Sequence, residues 1–207
     1  MKQLLDIDTW SRKDHFRFFT AFEEPFFGVC VDIDCTVAYR RAKNIKTSFF
    51  IYYLHKALVA ANRVESFRYR IADDQVWIYD KIHATPTINR PDNTFGFSYM
   101  DYYEDYREFE TAALLEAERV RNTPGLEPAG ADQNVIHFSA IPWVSFTGLS
   151  HARSFSFKDS CPKISFGKIK DHGTKMYMPV SIHVHHGLMD GYHVGQFVAA
   201  FEELMND

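Results

Sequence analysis

Four histidines crowd one short stretch, His183-Val184-His185-His186-Gly187-Leu188-Met189-Asp190-Gly191-Tyr192-His193. Imidazole is the side chain best suited to moving a proton near neutral pH. Three readings fit the cluster. In the first it does no chemistry: Asp190 caps a helix, His183 and His185 are solvated, and His186 is a hydrogen-bonded core residue. In the second, His183 and His185, two apart on one strand face, ligate a metal ion. Gly187 then stands where an HxHxDH site needs a further acid, and no downstream His/Asp set completes one. In the third, His186, desolvated at the end of an apolar strand face, is a general base that removes a proton from a bound hydroxyl. Burial disfavours imidazolium and would hold the ring in its basic form. Asp190, capping the following helix or pairing with an arginine, would fix the turn that aims it.

The elements that must hold the cluster can be read on either side. Tyr177 to His186 alternates as a strand, with Met178, Val180, Ile182 and Val184 on one face, Ser181, His183 and His185 on the other, and His186 on the apolar face. After Asp190-Gly191, Val194, Phe197, Val198, Phe201 and Leu204 recur at helical spacing to the C-terminus. Upstream, Thr9 caps a short helix ending before Glu24-Pro25, and Phe26 to Thr36 reads as strand. Thr47 opens a helix with Phe50, Leu54, Leu58 and Ala61 on one face. Phe67, Tyr69 and Ile71 alternate into a turn at Asp73-Asp74, answered by Val76 to Tyr79 as a hairpin. A loop holding Pro86, Pro91 and Gly96 leads to a helix over 104–121, stopped by Thr123-Pro124-Gly125. Val135 to Phe146 reads as an edge or bulged strand, because Pro142 cannot donate to a ladder. Helices interspersed with hairpin strands predict an α/β two-layer sandwich with a mixed, largely antiparallel sheet.

At 207 residues, the chain is expected to form a single domain over 1–207. With 46% apolar and 24% charged residues it excludes disordered, collagen-like and disulfide-scaffold classes. A net charge of −4, with Lys and Arg dispersed, leaves no footprint for nucleic acid. No apolar run approaches membrane-spanning length, and Cys30, Cys35 and Cys161 lack CxxC spacing, so a cytoplasmic protein without membrane partners is expected. Aromatics at 16% exceed what such a core takes up, leaving some for a pocket or subunit interface.

The string His185-His186-Gly187-Leu188-Met189-Asp190-Gly191 resembles the HHxxxDG signature of CoA-dependent acyltransferases. Met178-Pro179-Val180 before it and Tyr192-His193-Val194-Gly195 after it resemble the flanks in trimeric chloramphenicol acetyltransferases. So do Trp10 to Phe16, the hairpin Phe67-Arg68 through Asp80, and Ser139-Ala140-Ile141-Pro142-Trp143-Val144. The likeness spans almost the whole chain in order.

This resemblance implies the CoA-dependent acyltransferase fold, and an enzyme that moves an acetyl group from acetyl-CoA, a co-substrate, to a hydroxyl of chloramphenicol or a similar small molecule. It implies His186 as base, Asp190 and Arg12 as the pair holding the turn, and Ser139 as hydroxyl donor to the oxyanion. Phe19, Phe27 and Phe95 would belong to the acceptor pocket and Trp143 and Lys168 to the CoA side, while Ser165, also substrate-binding, stands where the family usually has threonine. No metal is implied, and the partners are copies of the chain in a homotrimer with active sites at subunit interfaces. Phe19 stands where the family usually has a tyrosine, Pro25 where a small residue is usual, His151 where leucine is common, and Ile169 where tyrosine is. The same chemistry on another acceptor, or an idle trimeric binding protein, are the competing expectations.

Overall fold

From the N-terminus, strand β1 (Lys2–Leu4) leads to helix α1 (Lys13–Phe19), strand β2 (Phe26–Asp34) and helices α2 (Thr36–Asn44) and α3 (Phe49–Arg63). Strands β3 (Tyr69–Ala72), β4 (Gln75–Tyr79), β5 (His83–Asn89) and β6 (Phe95–Phe97) precede helix α4 (Tyr106–Asn122). Strands β7 (Val135–Ile141), β8 (Lys163–Gly167), β9 (Lys170–Asp171) and β10 (Met176–His185) come before the last helix, α5 (Gly191–Asn206). The computed structural model describes residues 1–126 and 133–207.

The larger sheet has the order β2-β10-β8-β7-β5-β6. β10 runs antiparallel to β2 and β8, while β7 runs parallel to β5 and β8. This is the mixed sheet of the two-layer sandwich expected from the sequence. Alternation places Val180, Ile182 and Val184 of β10, with Ile164, Phe166, Ile136 and Phe138 of its neighbours, on the helix-covered face, each at most 2% exposed. Phe166 meets Tyr53 of α3 and Phe201 of α5 there. Each such side chain gains about 2–3 kcal/mol from leaving water. α3 packs against α2, α4 and α5, so it is buried on several sides, with Tyr52, Tyr53 and His55 also covered.

The other face of the same strands is polar. Register aligns Ser181 with Ser165 and Ser139, and His183 with Lys163 and His137, across β10, β8 and β7. Thr85 of β5 continues the second row.

β1, β4 and β3 form a separate small sheet. Its hairpin turns at Asp73 and Asp74, both with positive φ (54° and 57°), as a two-residue turn matched to strand twist requires. Arg70, expected to point outward by alternation, is fully buried. Its Nε donates to the Gln133 carbonyl (2.7 Å), Nη1 to those of Phe67 and Tyr69 (2.9 and 2.6 Å), and Nη2 to that of Val135 (2.6 Å).

Other expectations need correction. Thr9 bonds Asp6 rather than capping α1, whose N-cap position is Arg12. Thr36 opens α2, with its N–H and hydroxyl both donating to the Asp34 carboxylate. The segment holding Pro86 and Gly96 contains β5 and β6, and the Pro86 carbonyl accepts from the Ser98 N–H and hydroxyl. β7 stops at Ile141, so Pro142 falls in the following turn and β7 is an interior strand. β8 was not anticipated. Among the described residues no helix is long and apolar enough to cross a membrane.

Candidate active site

His186 follows directly on β10, in the turn that joins it to α5. Its N–H donates to the Pro25 carbonyl (2.8 Å), anchoring the turn to the entry of β2. The imidazole stacks on Phe19 (centroids 3.9 Å apart, planes 7° apart) and leans on Phe27 at 4.5 Å. Nδ1 is buried without a hydrogen-bond partner among the described residues. On this half-buried ring only Nε2 is therefore placed to meet an outside reactant.

The turn is held from two directions. Arg12 Nη1 donates to the Asp190 carboxylate, and its Nη2 donates to the carbonyl of His186 itself (3.1 Å). Asp190 is the N-cap of α5, accepting from the Tyr192 N–H (3.1 Å) and contacting His193 Nδ1 at 2.9 Å. Burial alone would raise its carboxyl, but the hydrogen bonds from Arg12 and His193 and the Arg12 charge outweigh that and bring it to about 2. It stays ionised, so the guanidinium that pins the His186 carbonyl keeps its counterion.

The neighbouring histidines occupy other environments. His185 is buried, its Nδ1 accepts the Gly187 N–H (3.1 Å), and burial pushes its pKa down to about 4. His183 lies over Gly28, where a Cβ would come within 2.5 Å of the imidazole, so only glycine permits that approach. The two do not gather a third metal ligand among the described residues. The grouping of His, Asp and Cys that does form is His137, Asp159 and Cys161. There Asp159 is already paired with Lys163, and the Cys161 thiol donates to the Gln133 carbonyl (3.3 Å).

Ser139, Ser165, Phe95, Trp143 and Lys168 stand apart from His186. Ser139 and Ser165 sit side by side on the polar sheet face, and Ser139 Oγ is 3.4 Å from Thr87 Oγ1. Ser165 and Ser181 Oγ are buried with no partner among the described residues. Phe95, exposed on β6, shares that face through its register with Asn89. Trp143 is 66% exposed in the turn after β7, and the Lys168 N–H donates to the Val144 carbonyl in the same turn (2.9 Å). His186 lies five residues beyond Ser181 and two strands from Ser139. At ~3.3 Å per residue and ~4.8 Å per strand that is roughly 19 Å, with Ser139 on the opposite sheet face. The chain thus brings His186, Asp190, Arg12, Phe19 and Phe27 into one group, and the remaining predicted residues into another.

Sequence reading missed a cavity of about 410 Å³ on the polar face, lined by His137, Arg153, Asp159 and Lys163 among others. The signal was present in part, since Lys163 stands two residues before Ser165 and must share its face.

A family model described as chloramphenicol acetyltransferase matches residues 2–202. A chloramphenicol acetyltransferase of Klebsiella sp is 28% identical over 204 residues, covering 98% of this chain and 93% of that protein. One from Staphylococcus aureus is 29% identical, covering 97% and 94%. A solved structure described as chloramphenicol acetyltransferase superposes with a TM-score of 0.89 at 31% identity, covering 99% of this chain and all of the other. The dihydrolipoamide acetyltransferase of Azotobacter vinelandii shares the fold, at TM-score 0.67 and 14% identity.

Proposed function

The chain belongs to the chloramphenicol acetyltransferase family and is an acetyl-CoA-dependent acyltransferase; on that premise we propose that it acetylates a hydroxyl of chloramphenicol or a similar small molecule, with His186 as general base. The observation that carries the reading is the fixation of the His186 imidazole. The ring is stacked on Phe19, Nδ1 is closed off, and the residue's own carbonyl is tied to Arg12. A base held so leaves Nε2 free to take the acceptor proton with little reorganisation.

In the step, Nε2 receives the hydroxyl proton as the acceptor oxygen bonds to the thioester carbonyl carbon. The charge arriving on the carbonyl oxygen accepts a hydrogen bond from Ser139 Oγ. Collapse restores the carbonyl, breaks the carbon–sulfur bond, and returns the proton from His186 to the departing CoA sulfur. No acyl-enzyme is needed when both substrates are bound together. Trp143 and Lys168, at one end of the polar face, suit the CoA side, where the ammonium can act as a point charge toward phosphate.

His186 and Ser139, roughly 19 Å apart in one chain by strand geometry, cannot serve one substrate there. This supports sites shared between copies of the chain, in keeping with the homotrimer that the family resemblance implies. We read each copy as a single domain over 1–207, and its unpaired cysteines suit the cytoplasm. The test is complementation. His186→Ala and Ser139→Ala chains should each be nearly inactive alone, whereas trimers assembled from an equal mixture should regain about one quarter of wild-type acetyl transfer, the fraction of boundaries where both intact residues meet. Thiol release from acetyl-CoA measures this, and no recovery on co-assembly would place both residues in one chain's site.

A further inference from the structure

The cavity on the polar sheet face has a charge pattern that bears on the acceptor, and its significance rests on the acyl-transfer reading above. The cavity, about 410 Å³, lies at the level of His137 and Lys163. That is one side-chain pair, about 7 Å, along β7 and β8 from Ser139 and Ser165. Phe97 and Phe157 give it apolar walls. Among the described lining residues the formal charges are Arg153, Lys163 and Asp159, two cations against one carboxylate.

Both cations are largely closed off from solvent, their side chains 10% and 11% exposed. Both lie over the Phe26 ring, at 3.7 and 4.8 Å from its centroid. Asp159 is committed to Lys163, and burial that would raise its carboxyl is outweighed by the adjacent ammonium, so it stays charged. Arg153 pairs with Glu24, which is 46% exposed and does not line the cavity. Arg153 Nε is buried with no partner among the described residues, as is His151 Nε2. His151 is neutral at neutral pH, its pKa pushed down to about 4 by burial and by the neighbouring His183 and Lys163. Buried polar groups are seldom left unpaired, and an uncharged apolar guest would leave the Arg153 N–H stranded.

We propose that this cavity selects small hydroxyl compounds that carry a carboxylate about 7 Å from the reacting oxygen, the carboxylate being taken by Arg153 with Lys163 beside it and an aromatic body lying between Phe97 and Phe157. Arg153 and Lys163 are then the specificity-determining residues, and uncharged acceptors such as chloramphenicol are the slower ones. The bonds made and broken are those of the transfer described above.

The experiment compares 4-(hydroxymethyl)benzoate with its methyl ester, which differ in the single charge, and uses chloramphenicol as reference, following thiol release from acetyl-CoA with the full chain. Wild type should show kcat/KM about tenfold or more higher for the acid than for the ester. In Arg153→Met, which strands only the half-exposed Glu24, the ratio should fall to about unity. The charge-neutral pair Lys163→Met with Asp159→Asn should lower it too, and serves if the first variant folds poorly. Added salt should slow the acid and spare the ester. A wild-type ratio at or below one, a ratio preserved in both variants, or an acid that is neither acetylated nor competitive with chloramphenicol overturns the inference while leaving acyl transfer intact. If no acceptor, chloramphenicol included, releases thiol, both readings fail.

Discussion

At the His186 turn, the groups that set the backbone are paired inside the chain. Pro25 accepts from His186, Arg12 grips both Asp190 and the His186 carbonyl, and Asp190 caps α5. Across the sheet, the Ser139–Ser165–Ser181 row and the cavity beside it carry buried hydroxyl and N–H groups that no described residue satisfies. One region has its backbone fixed by bonds to Arg12 and Pro25 from far along the chain; the other presents buried hydroxyl and N–H groups that a second molecule would complete. Under the proposed function the contrast separates roles: the first half would hold the reactive nitrogen still, and the second would sort what reaches it.

Substitutions on each side put that division to the test. His186→Ala should cause the largest loss, lowering kcat by about 10²–10⁴ or more, with a modest fall in melting temperature from the lost stacking on Phe19 and Phe27. Ser139→Ala should cost about 10²–10³ in kcat with a small change in KM, the pattern of a donor used in the transition state. Should Ser139→Ala instead raise KM alone, the polar face would only bind. The smallest effect on rate and the largest on stability belongs to Arg12→Val. It should cost about 2 kcal/mol, a melting-temperature fall of about 4–8 °C, because Asp190 loses its counterion and the His186 carbonyl its donor. The Asp190 carboxyl sits near 2 when folded, below its ordinary value of 3.8. The pair's contribution is therefore full above about pH 4 and is lost as pH falls toward 2, so the stability gap between wild type and variant should narrow over that window to what the bond to the His186 carbonyl supplies. A difference undiminished at pH 2 would show that the charge pair with Asp190 contributes little and that Arg12 acts through the His186 carbonyl and its packing.

The turn was legible in the sequence because its residues are contiguous: the strand alternation, Asp190-Gly191 and the helical repeat after them all lie within one stretch. The hairpin at Asp73-Asp74 was legible for the same reason. The polar face was not, because it is assembled from β5, β7, β8 and β10, and only their register sets Ser139 beside Ser165 and His137 beside Lys163. β5 was hidden by Pro86, which lacks a ladder donor and so argues against a strand, although its carbonyl still accepts from the Ser98 N–H and hydroxyl. β8 is short and carries a lysine and a serine, which reads as loop unless both its faces are known to be covered. Nothing in the sequence singles out Arg153 or Lys163, because their burial depends on Phe26 and, for Arg153, on Glu24, both far along the chain.

Arg70 has a bearing on how the molecule comes apart. Its guanidinium clasps two carbonyls beside its own hairpin and two where β7 begins, so it belongs equally to the small sheet and the large one. Peeling the β3–β4 hairpin away would leave the Arg70 cation without its acceptors where β7 begins and orphan carbonyls on both sides. Separation of β3 from the large sheet therefore carries a cost that couples the opening of one sheet to the other at this point.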